Sequence, residues 1–158
     1  MRETLFNWLA PHMPGAHCLD LFAGSGALGL EALSRGAAQL TFVERDAQAA
    51  RAIEVCLTEW DPGHAHQWSL AATDARAFLS GPARPFDIVF LDPPFGSGML
   101  TTVCERLEQS GWLAPGARIY LECPRGAAPE VPEGWSLLKT KETGQVGYHL
   151  YQRGKNSE

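Results

Sequence analysis

The stretch "FLDPPFGSG" contains residue types that can do chemistry, because Asp92, Pro93, Pro94 and Phe95 directly follow an apolar run typical of a strand. A carboxylate beside a proline carbonyl offers two hydrogen-bond acceptors in fixed positions, since proline restricts the backbone and removes a donor. The aromatic ring offers a flat face on which a planar group can stack. Taken by itself, D-P-P can also be only a rigid exit from a strand.

A second stretch, "CLDLFAGSGALGLEAL", places Gly24, Gly26 and Gly29 in the order G-x-G-x-x-G after another strand-like run. Such a turn is used by dinucleotide sites and by S-adenosylmethionine sites. Glu44 closes the next apolar run, 20 residues after Gly24, where an acidic side chain can hold a ribose hydroxyl. These four residues therefore leave both cofactors open.

The positions of further acidic residues favour one of the two cofactors. Asp20 precedes Gly24 by four residues, where its charge would oppose a pyrophosphate but suits the ammonium and sulfonium groups of S-adenosylmethionine. Asp74 follows the third apolar run in "AATDARAF", where a carboxylate or the neighbouring backbone can read the adenine amino edge. Asp74 can also cap the short helix after it, and the two roles can coexist. Acidic residues at three successive strand ends indicate a nucleoside site.

Methyltransferases that modify exocyclic amines use [N/D/S]-P-P-[Y/F/W] after the fourth strand, the place of D-P-P-F here. The lone pair of such an amine is delocalised into the ring, so the Asp92 carboxylate and the Pro93 carbonyl would hold its two N–H bonds and localise the pair. Phe95 would stack on an extruded base. As positive charge grows on the nitrogen, Asp92 would stabilise it and take the proton.

Composition limits the classes of protein that the chain can represent. With 158 residues, 45% of them hydrophobic, it predicts one domain over residues 1–158. The formal net charge is −5, with 13 basic against 18 acidic residues, so nucleic-acid binding would need a local basic patch. The candidate basic contacts are Arg2, Arg125, Lys139 and Lys141. The start lacks a secretory signal and no apolar run approaches a membrane span, which predicts a cytoplasmic protein.

No metal site is predicted. His64 and His66 form an H-x-H pair without a third ligand at suitable spacing, and the four cysteines form no C-x-x-C pair. We expect those cysteines to be buried free thiols; they are Cys18, Cys56, Cys104 and Cys123.

Apolar runs and helical patterns alternate along the chain and end in a hairpin. The predicted helices cover residues 2–10, 25–35, 46–60, 75–79 and 99–109. The predicted strands cover residues 17–22, 39–44, 67–72, 86–92 and 117–122, followed by hairpin strands at 136–142 and 146–153. This order predicts an α/β fold: a three-layer, Rossmann-like sandwich with a mostly parallel sheet and an antiparallel last strand.

The motifs resemble those of the RsmD-like family, the methyltransferases of a guanine N2 amine in the small-subunit (16S) ribosomal RNA of bacteria. The resemblance rests on "RETLFNWL", "CLDLFAGSGALGLEALSRGA", "DIVFLDPPF", "GWLAPGARIYLE" and "GQVGYHLYQR". It implies the class I fold of S-adenosylmethionine-dependent methyltransferases, with residues 92–95 as the catalytic motif. The implied cofactor-site residues are Asp20, Phe22, Ala23, Gly24, Gly26, Glu44, Arg45, Asp74 and Ala75.

The resemblance also implies a substrate and partners. We expect methyl transfer to ribosomal RNA within an assembled or assembling small subunit, by a monomer that binds no membrane. The family's short basic and polar N-terminal arm is expected to be absent or trimmed here. Three alternatives stay open: methylation of another nucleic-acid amine or a protein glutamine, a catalytically silent S-adenosyl-binding assembly factor, and an NAD-binding module.

Overall fold

The computed structural model describes residues 2–93, 99–127 and 130–154. The chain divides into two compact units, Met1–Phe78 and Leu79–Glu158. Seven strands in these described ranges form a mixed sheet, mostly parallel with an antiparallel last strand. The α/β class and the direction of the last strand are as predicted. Within the described residues, no helix is both long and apolar enough to cross a membrane.

The first unit alternates helices and short strands. Its helices are α1 (Arg2–Leu9), α2 (Ala27–Ser34), α3 (Ala47–Trp60) and α4 (Ala75–Phe78), with a 3-10 turn at Ala10–His12. Its strands are β1 (His17–Asp20), β2 (Gln39–Val43) and β3 (Trp68–Ala71). Both β1 and β3 pair with β2 in parallel. All three carboxyl ends therefore lie along one edge, which is where parallel strands deliver functional side chains.

The core of the first unit forms around β2. Leu40 and Phe42 of that strand are fully buried, as expected of a strand covered on both faces. The amphipathic helix α3 buries Ile53 and Leu57, and it begins after Asp46, whose carboxylate accepts a hydrogen bond from the Ala49 amide at 2.9 Å. This side-chain cap explains why the helix begins at Ala47.

The second unit contains one helix among its described elements, α5 (Leu100–Gln109). Its strands are β4 (Phe86–Leu91), β5 (Leu113–Pro124), β6 (Trp135–Thr143) and β7 (Val146–Arg153). The strand order in this unit is β4-β5-β7-β6, in which β4 and β5 are parallel and β7 runs antiparallel to both of its neighbours. Gly144 has φ +60° at the turn between β6 and β7, and the predicted hairpin is confirmed.

A carboxylate on α5 joins that helix to the hairpin. Glu108 Oε1 accepts hydrogen bonds from Trp135 Nε1 at 2.8 Å and from Arg153 Nε at 2.9 Å. Arg153 also donates to the Leu113 carbonyl at 2.8 Å. The first residue of β6 and the last residue of β7 are therefore tied to α5 through a single side chain.

Several local predictions need correction. The second helix begins at Ala27 rather than at residue 25, because Gly26 before it has φ +82°, which lies outside the helical region. The fifth strand starts at Leu113, opposite Phe86, and its ladder shifts before Arg118 pairs with Ile88. Cys56 is exposed rather than buried, because it lies on the solvent side of α3.

Candidate active site

In the first unit, the glycine turn is held by Glu44. The Gly24 amide donates a hydrogen bond to Glu44 Oε1 at 2.7 Å, and the Asp46 amide donates to Oε2 at 2.9 Å. Glu44 follows β2 directly, and its own amide donates to the Ala71 carbonyl at 3.1 Å. One carboxylate thus joins the turn after β1 to the start of α3. Each oxygen keeps a further lone pair for a ligand hydroxyl.

The three glycines of the motif have separate roles. Gly24 supplies the amide that binds Glu44. Gly26 caps α2 with φ +82°, a conformation that glycine adopts without steric cost. Gly29 lies inside α2, where a Cβ atom would overlap the ring of Phe42 on β2. The third glycine therefore permits close packing of the helix on the strand, which is its usual purpose in this motif.

The remaining predicted residues of the turn lie before and inside it. Asp20 ends β1 and is only 2% exposed, so its carboxylate is buried at the carboxyl end of the strand. Phe22 is half-buried and Ala23 is buried. The Ala23 amide donates to the Val43 carbonyl at 2.9 Å, which continues the contact between the first two strands up to the glycines.

Asp74 acts as a cap, the alternative role that the sequence left open. Its Oδ1 accepts a hydrogen bond from the Arg76 amide at 3.1 Å, and its backbone carbonyl accepts from the Phe78 amide at 2.9 Å. Ala75 is buried at the start of α4. The Asp74 side chain is 39% exposed, with Oδ2 lying 3.8 Å from Arg76 Nε, so the capping carboxylate stays accessible. Arg45, also predicted for this site, is exposed.

In the second unit, Asp92 follows the last residue of β4 and is half-buried, and Pro93 after it is buried. The strand before them is apolar and buried except at Asp87. The Asp92 carboxylate therefore lies at the end of a rigid element. Pro94 and Phe95, the other two predicted catalytic residues, lie outside the described residues.

A group of polar residues near Asp92 was not predicted from the sequence. Glu122 lies near the end of β5, and its Oε1 accepts a hydrogen bond from the Tyr120 hydroxyl at 2.9 Å. The Tyr120 ring stacks on that of Tyr148, with centroids 6.5 Å apart and planes inclined by 19°. The rule used for Glu44 and Asp92, an acidic residue at the end of an apolar run, also applies to "ARIYLE" and would have found Glu122.

Burial and charge change the acidity of this group. Burial, followed by the negative charge of Glu122, raises the pKa of Asp92 to about 6. Burial and the two carboxylates also raise the pKa of Tyr148, and burial together with Glu122 raises that of Tyr120. At neutral pH the site therefore combines the Asp92 carboxylate with neutral phenol groups. A carboxylate with a pKa near the working pH is suited to accept a proton.

The candidate basic contacts have different surroundings. Arg125 is engaged within its own unit: Nε lies 3.2 Å from Glu142 Oε1, and a guanidinium nitrogen donates to the Gly144 carbonyl at 3.2 Å. Lys139 and Lys141 are exposed on β6, and Arg2 is exposed on α1 in the first unit.

Comparison with known proteins places the chain in a family. The family model described as "Conserved hypothetical protein 95" matches residues 1–152. Ribosomal RNA small subunit methyltransferase D of Escherichia coli (strain K12) is 47% identical over 159 residues, which cover 100% of this chain and 79% of that protein.

Solved structures show the same relationship. The structure of yhhF from Escherichia coli is 47% identical with a TM-score of 0.92, covering 98% of this chain and 86% of that one. Magnesium protoporphyrin IX methyltransferase (ChlM) from Synechocystis PCC 6803, solved with bound SAM, covers 97% of this chain and 78% of that one; its TM-score of 0.71 at 16% identity concerns the fold alone. The fold is that of class I methyltransferases, and the chain belongs to the ribosomal RNA small subunit methyltransferase D family.

Proposed function

We propose that the chain transfers a methyl group from S-adenosylmethionine to the exocyclic N2 amine of a guanine in small-subunit ribosomal RNA. The observation that carries this proposal is the half-buried Asp92 carboxylate at the end of β4, beside Glu122 and followed by Pro93. A target amine needs hydrogen-bond acceptors and a group that takes its proton, and this arrangement supplies both. Pro94 and Phe95 complete the proposed catalytic motif.

The residues of the first unit fit S-adenosylmethionine. The cofactor is cationic at its methionine end, and Asp20 is a buried carboxylate at the end of β1. The ribose hydroxyls of the cofactor need hydrogen-bond acceptors. The Gly24 and Asp46 amides fix the two carboxylate oxygens of Glu44, which can accept from these hydroxyls. We assign the methionine part to Asp20, the ribose to Glu44 and the adenine edge to Asp74.

The rest of the proposed cofactor site consists of residues that border these three carboxylates. They are Phe22, Ala23, Gly24, Gly26, Arg45 and Ala75. When bound, the cofactor supplies an electrophilic methyl group on a sulfonium. The chain's part is to hold the amine, exclude competing acceptors and take up the proton. No nucleophilic side chain is needed, because the methyl group passes directly to nitrogen.

Asp92 and the Pro93 carbonyl would each accept one N–H bond of the guanine amine. This directs the nitrogen lone pair away from the ring and toward the methyl group. When the amine accepts the methyl group that the cofactor would supply, it would gain positive charge and then lose a proton. The Asp92 carboxylate would stabilise that charge and accept the proton, a role suited to its raised pKa.

The family supports ribosomal RNA as the substrate, since the E. coli relative is named a small subunit ribosomal RNA methyltransferase. The net charge of −5 supports a shaped target over diffuse attraction to any RNA. We therefore propose that the target guanine is an unpaired nucleotide on folded RNA in an assembled or assembling subunit, where extrusion is least costly. The enzyme would act as a monomer in the cytoplasm, where its substrate is assembled.

The test is methyl transfer from labelled S-adenosylmethionine to small ribosomal subunits and to protein-free RNA, with mapping of the modified nucleotide. Modification of one guanine N2, and faster transfer to subunits, are expected. Label on adenine, on protein, or equally on unrelated RNA would contradict the proposal.

Cofactor choice is tested separately by calorimetric titration. S-adenosylmethionine and its demethylated product should bind, and NAD should give no signal. Asp92→Ala, which removes both the hydrogen-bond acceptor and the charge, should abolish turnover and leave cofactor affinity within a few-fold. Asp87→Ala is the matched control, because Asp87 is an exposed carboxylate on the same strand.

A further inference from the structure

The second unit presents a row of three side chains across neighbouring strands. In the antiparallel ladder of β5 and β7, Glu122 is opposite Tyr148; in that of β6 and β7, Lys141 is opposite Tyr148. Directly opposed residues lie on the same face of a sheet. An acidic, an aromatic and a basic side chain therefore follow one another on one face, beginning near Asp92 and ending at β6.

Tyr148 joins this row to the proposed catalytic group. Its ring stacks on Tyr120, whose hydroxyl donates to Glu122. Tyr148 is half-buried, so the residue keeps some access to solvent on the face that carries Glu122. A ring fixed by its neighbours in this way loses little conformational freedom when a base stacks on it.

Lys139 shares this face because the ladder of β6 is irregular. Leu137 is opposite Tyr151, and Lys139 is opposite Leu150. The pairing therefore advances by two residues along β6 while it advances by one residue along β7. This is the pattern of a β-bulge at Leu138, which shifts the alternation of side chains. Both lysines after the bulge therefore fall on the side of Tyr148.

The two lysines of this face are suited to a polyanion, and they lie at the end of the row away from Glu122. Lys139 and Lys141 are exposed, and within residues 99–127 and 130–154 neither has an ion pair within 4.0 Å, unlike Arg125 with Glu142. They concentrate positive charge in a chain of net charge −5. The exposed Leu137 falls on the opposite face with Tyr151, so this face combines a stacking surface with cations.

We propose that the face formed by Tyr148, Lys141 and Lys139 binds a single-stranded RNA segment adjacent to the nucleotide that is methylated. This inference rests on the proposed function and names the part of the chain that holds its substrate. A base stacks on Tyr148, and the phosphates that follow it lie along the two lysines. Alternating aromatic and cationic groups are the usual means of holding unpaired RNA without reading its sequence.

The test is binding of a labelled, unstructured oligoribonucleotide of about a dozen nucleotides, measured by fluorescence anisotropy at several salt concentrations. Lys141→Gln should raise the Kd about fivefold near 0.1 M salt and reduce the slope of log Kd against log salt by about 0.7, the value for one phosphate contact on a single strand. Tyr148→Ala should weaken binding by about fivefold or more, and Tyr148→Phe should bind like the wild type, because the ring does the stacking.

Arg51→Gln is the matched control. Arg51 is exposed on α3 in the first unit, so this variant loses the same charge at a distant part of the sequence and should keep the wild-type Kd and salt slope. An equal loss in Arg51→Gln and Lys141→Gln would overturn the inference, because net charge alone would then explain binding.

Two further outcomes separate this inference from the proposed function. If the wild type methylates subunits but Lys141→Gln and Tyr148→Ala bind RNA like the wild type, the docking face is wrong and the methyl transfer stands. If these variants bind oligoribonucleotide normally and lose only affinity for assembled subunits, the face binds protein and the inference is overturned. If the wild type methylates no RNA, the proposed function is contradicted. The Kd values of the wild type and the variants for the oligoribonucleotide still test the docking face in that case.

Discussion

Glu44 and Gly24 are joined by a hydrogen bond of 2.7 Å from the glycine amide to the carboxylate, although 20 residues separate them. The second carboxylate oxygen accepts from the Asp46 amide at 2.9 Å. Backbone amides thus fix the rotamer of Glu44 at both oxygens. An acidic side chain at this place therefore organises the turn in addition to any contact with a ribose.

Glu44→Gln should weaken S-adenosylmethionine binding by roughly 1.5–3 kcal/mol, the range for losing a hydrogen bond to a charged acceptor. The amide nitrogen of the variant also faces a backbone N–H that needs an acceptor. Calorimetry measures the change. Glu54→Gln, at an exposed position on α3, is the control. Equal affinities of the two variants for S-adenosylmethionine would show that Glu44 does not bind the cofactor.

The rate of methyl transfer should fall as the pH decreases through about 6, because protonation of Asp92 removes the acceptor for the amine. Glu122→Gln should move this acidic limb to lower pH, since the negative charge of Glu122 is one cause of the raised pKa. The measurement is the pH profile of kcat/KM. Glu133→Gln, an exposed residue of the same unit, should leave the profile in place, and an unmoved limb in Glu122→Gln would exclude this coupling.

Gly29→Ala should destabilise the protein by about 1–3 kcal/mol, because the added methyl group overlaps the Phe42 ring in a close-packed region. Gly63→Ala is the matched control, as a Cβ atom there meets nothing within 4 Å, and its effect should stay within about 0.5 kcal/mol. Urea unfolding compares the two. Similar midpoints would mean that α2 moves away from β2 without cost.

Glu108→Ala should destabilise the protein by about 2 kcal/mol, because Trp135 Nε1 and Arg153 Nε lose a charged acceptor in a partly buried place. Glu105→Ala removes an exposed carboxylate from the same helix and should change stability little. Thermal unfolding of both variants is the measurement. If the two variants have the same Tm, Glu108 does not hold the hairpin to α5.

Local signals in the sequence predicted much of the fold. The glycine turn, the acidic strand ends and the hairpin about Gly144 each depend on residues close together in the chain. They also placed Asp92 at the end of a buried strand. For these features, propensity and tertiary packing favour the same structure.

The features that were missed depend on contacts between elements. An acidic residue at the end of an apolar run locates Glu122, but its role comes from Tyr120, two residues earlier on β5, and from Tyr148 opposite it on β7. The periodicity of β5 does not encode these contacts. The solvent exposure of Cys56 depends on which side of α3 packs on the sheet. Side-chain type alone could not separate these cases, because cysteine is commonly buried and glutamate is commonly a surface residue.

The β-bulge at Leu138 decides which face of the hairpin carries the two lysines. Leu138 is the extra residue between Leu137, opposite Tyr151, and Lys139, opposite Leu150, so deleting it would leave Lys139 and Lys141 on the side of Tyr148. In a regular strand of the same length, Lys139 would instead lie opposite His149 and Lys141 opposite Gly147, on the other face. One unpaired residue, and not the composition of β6, therefore brings the positive charge to the face of Tyr148.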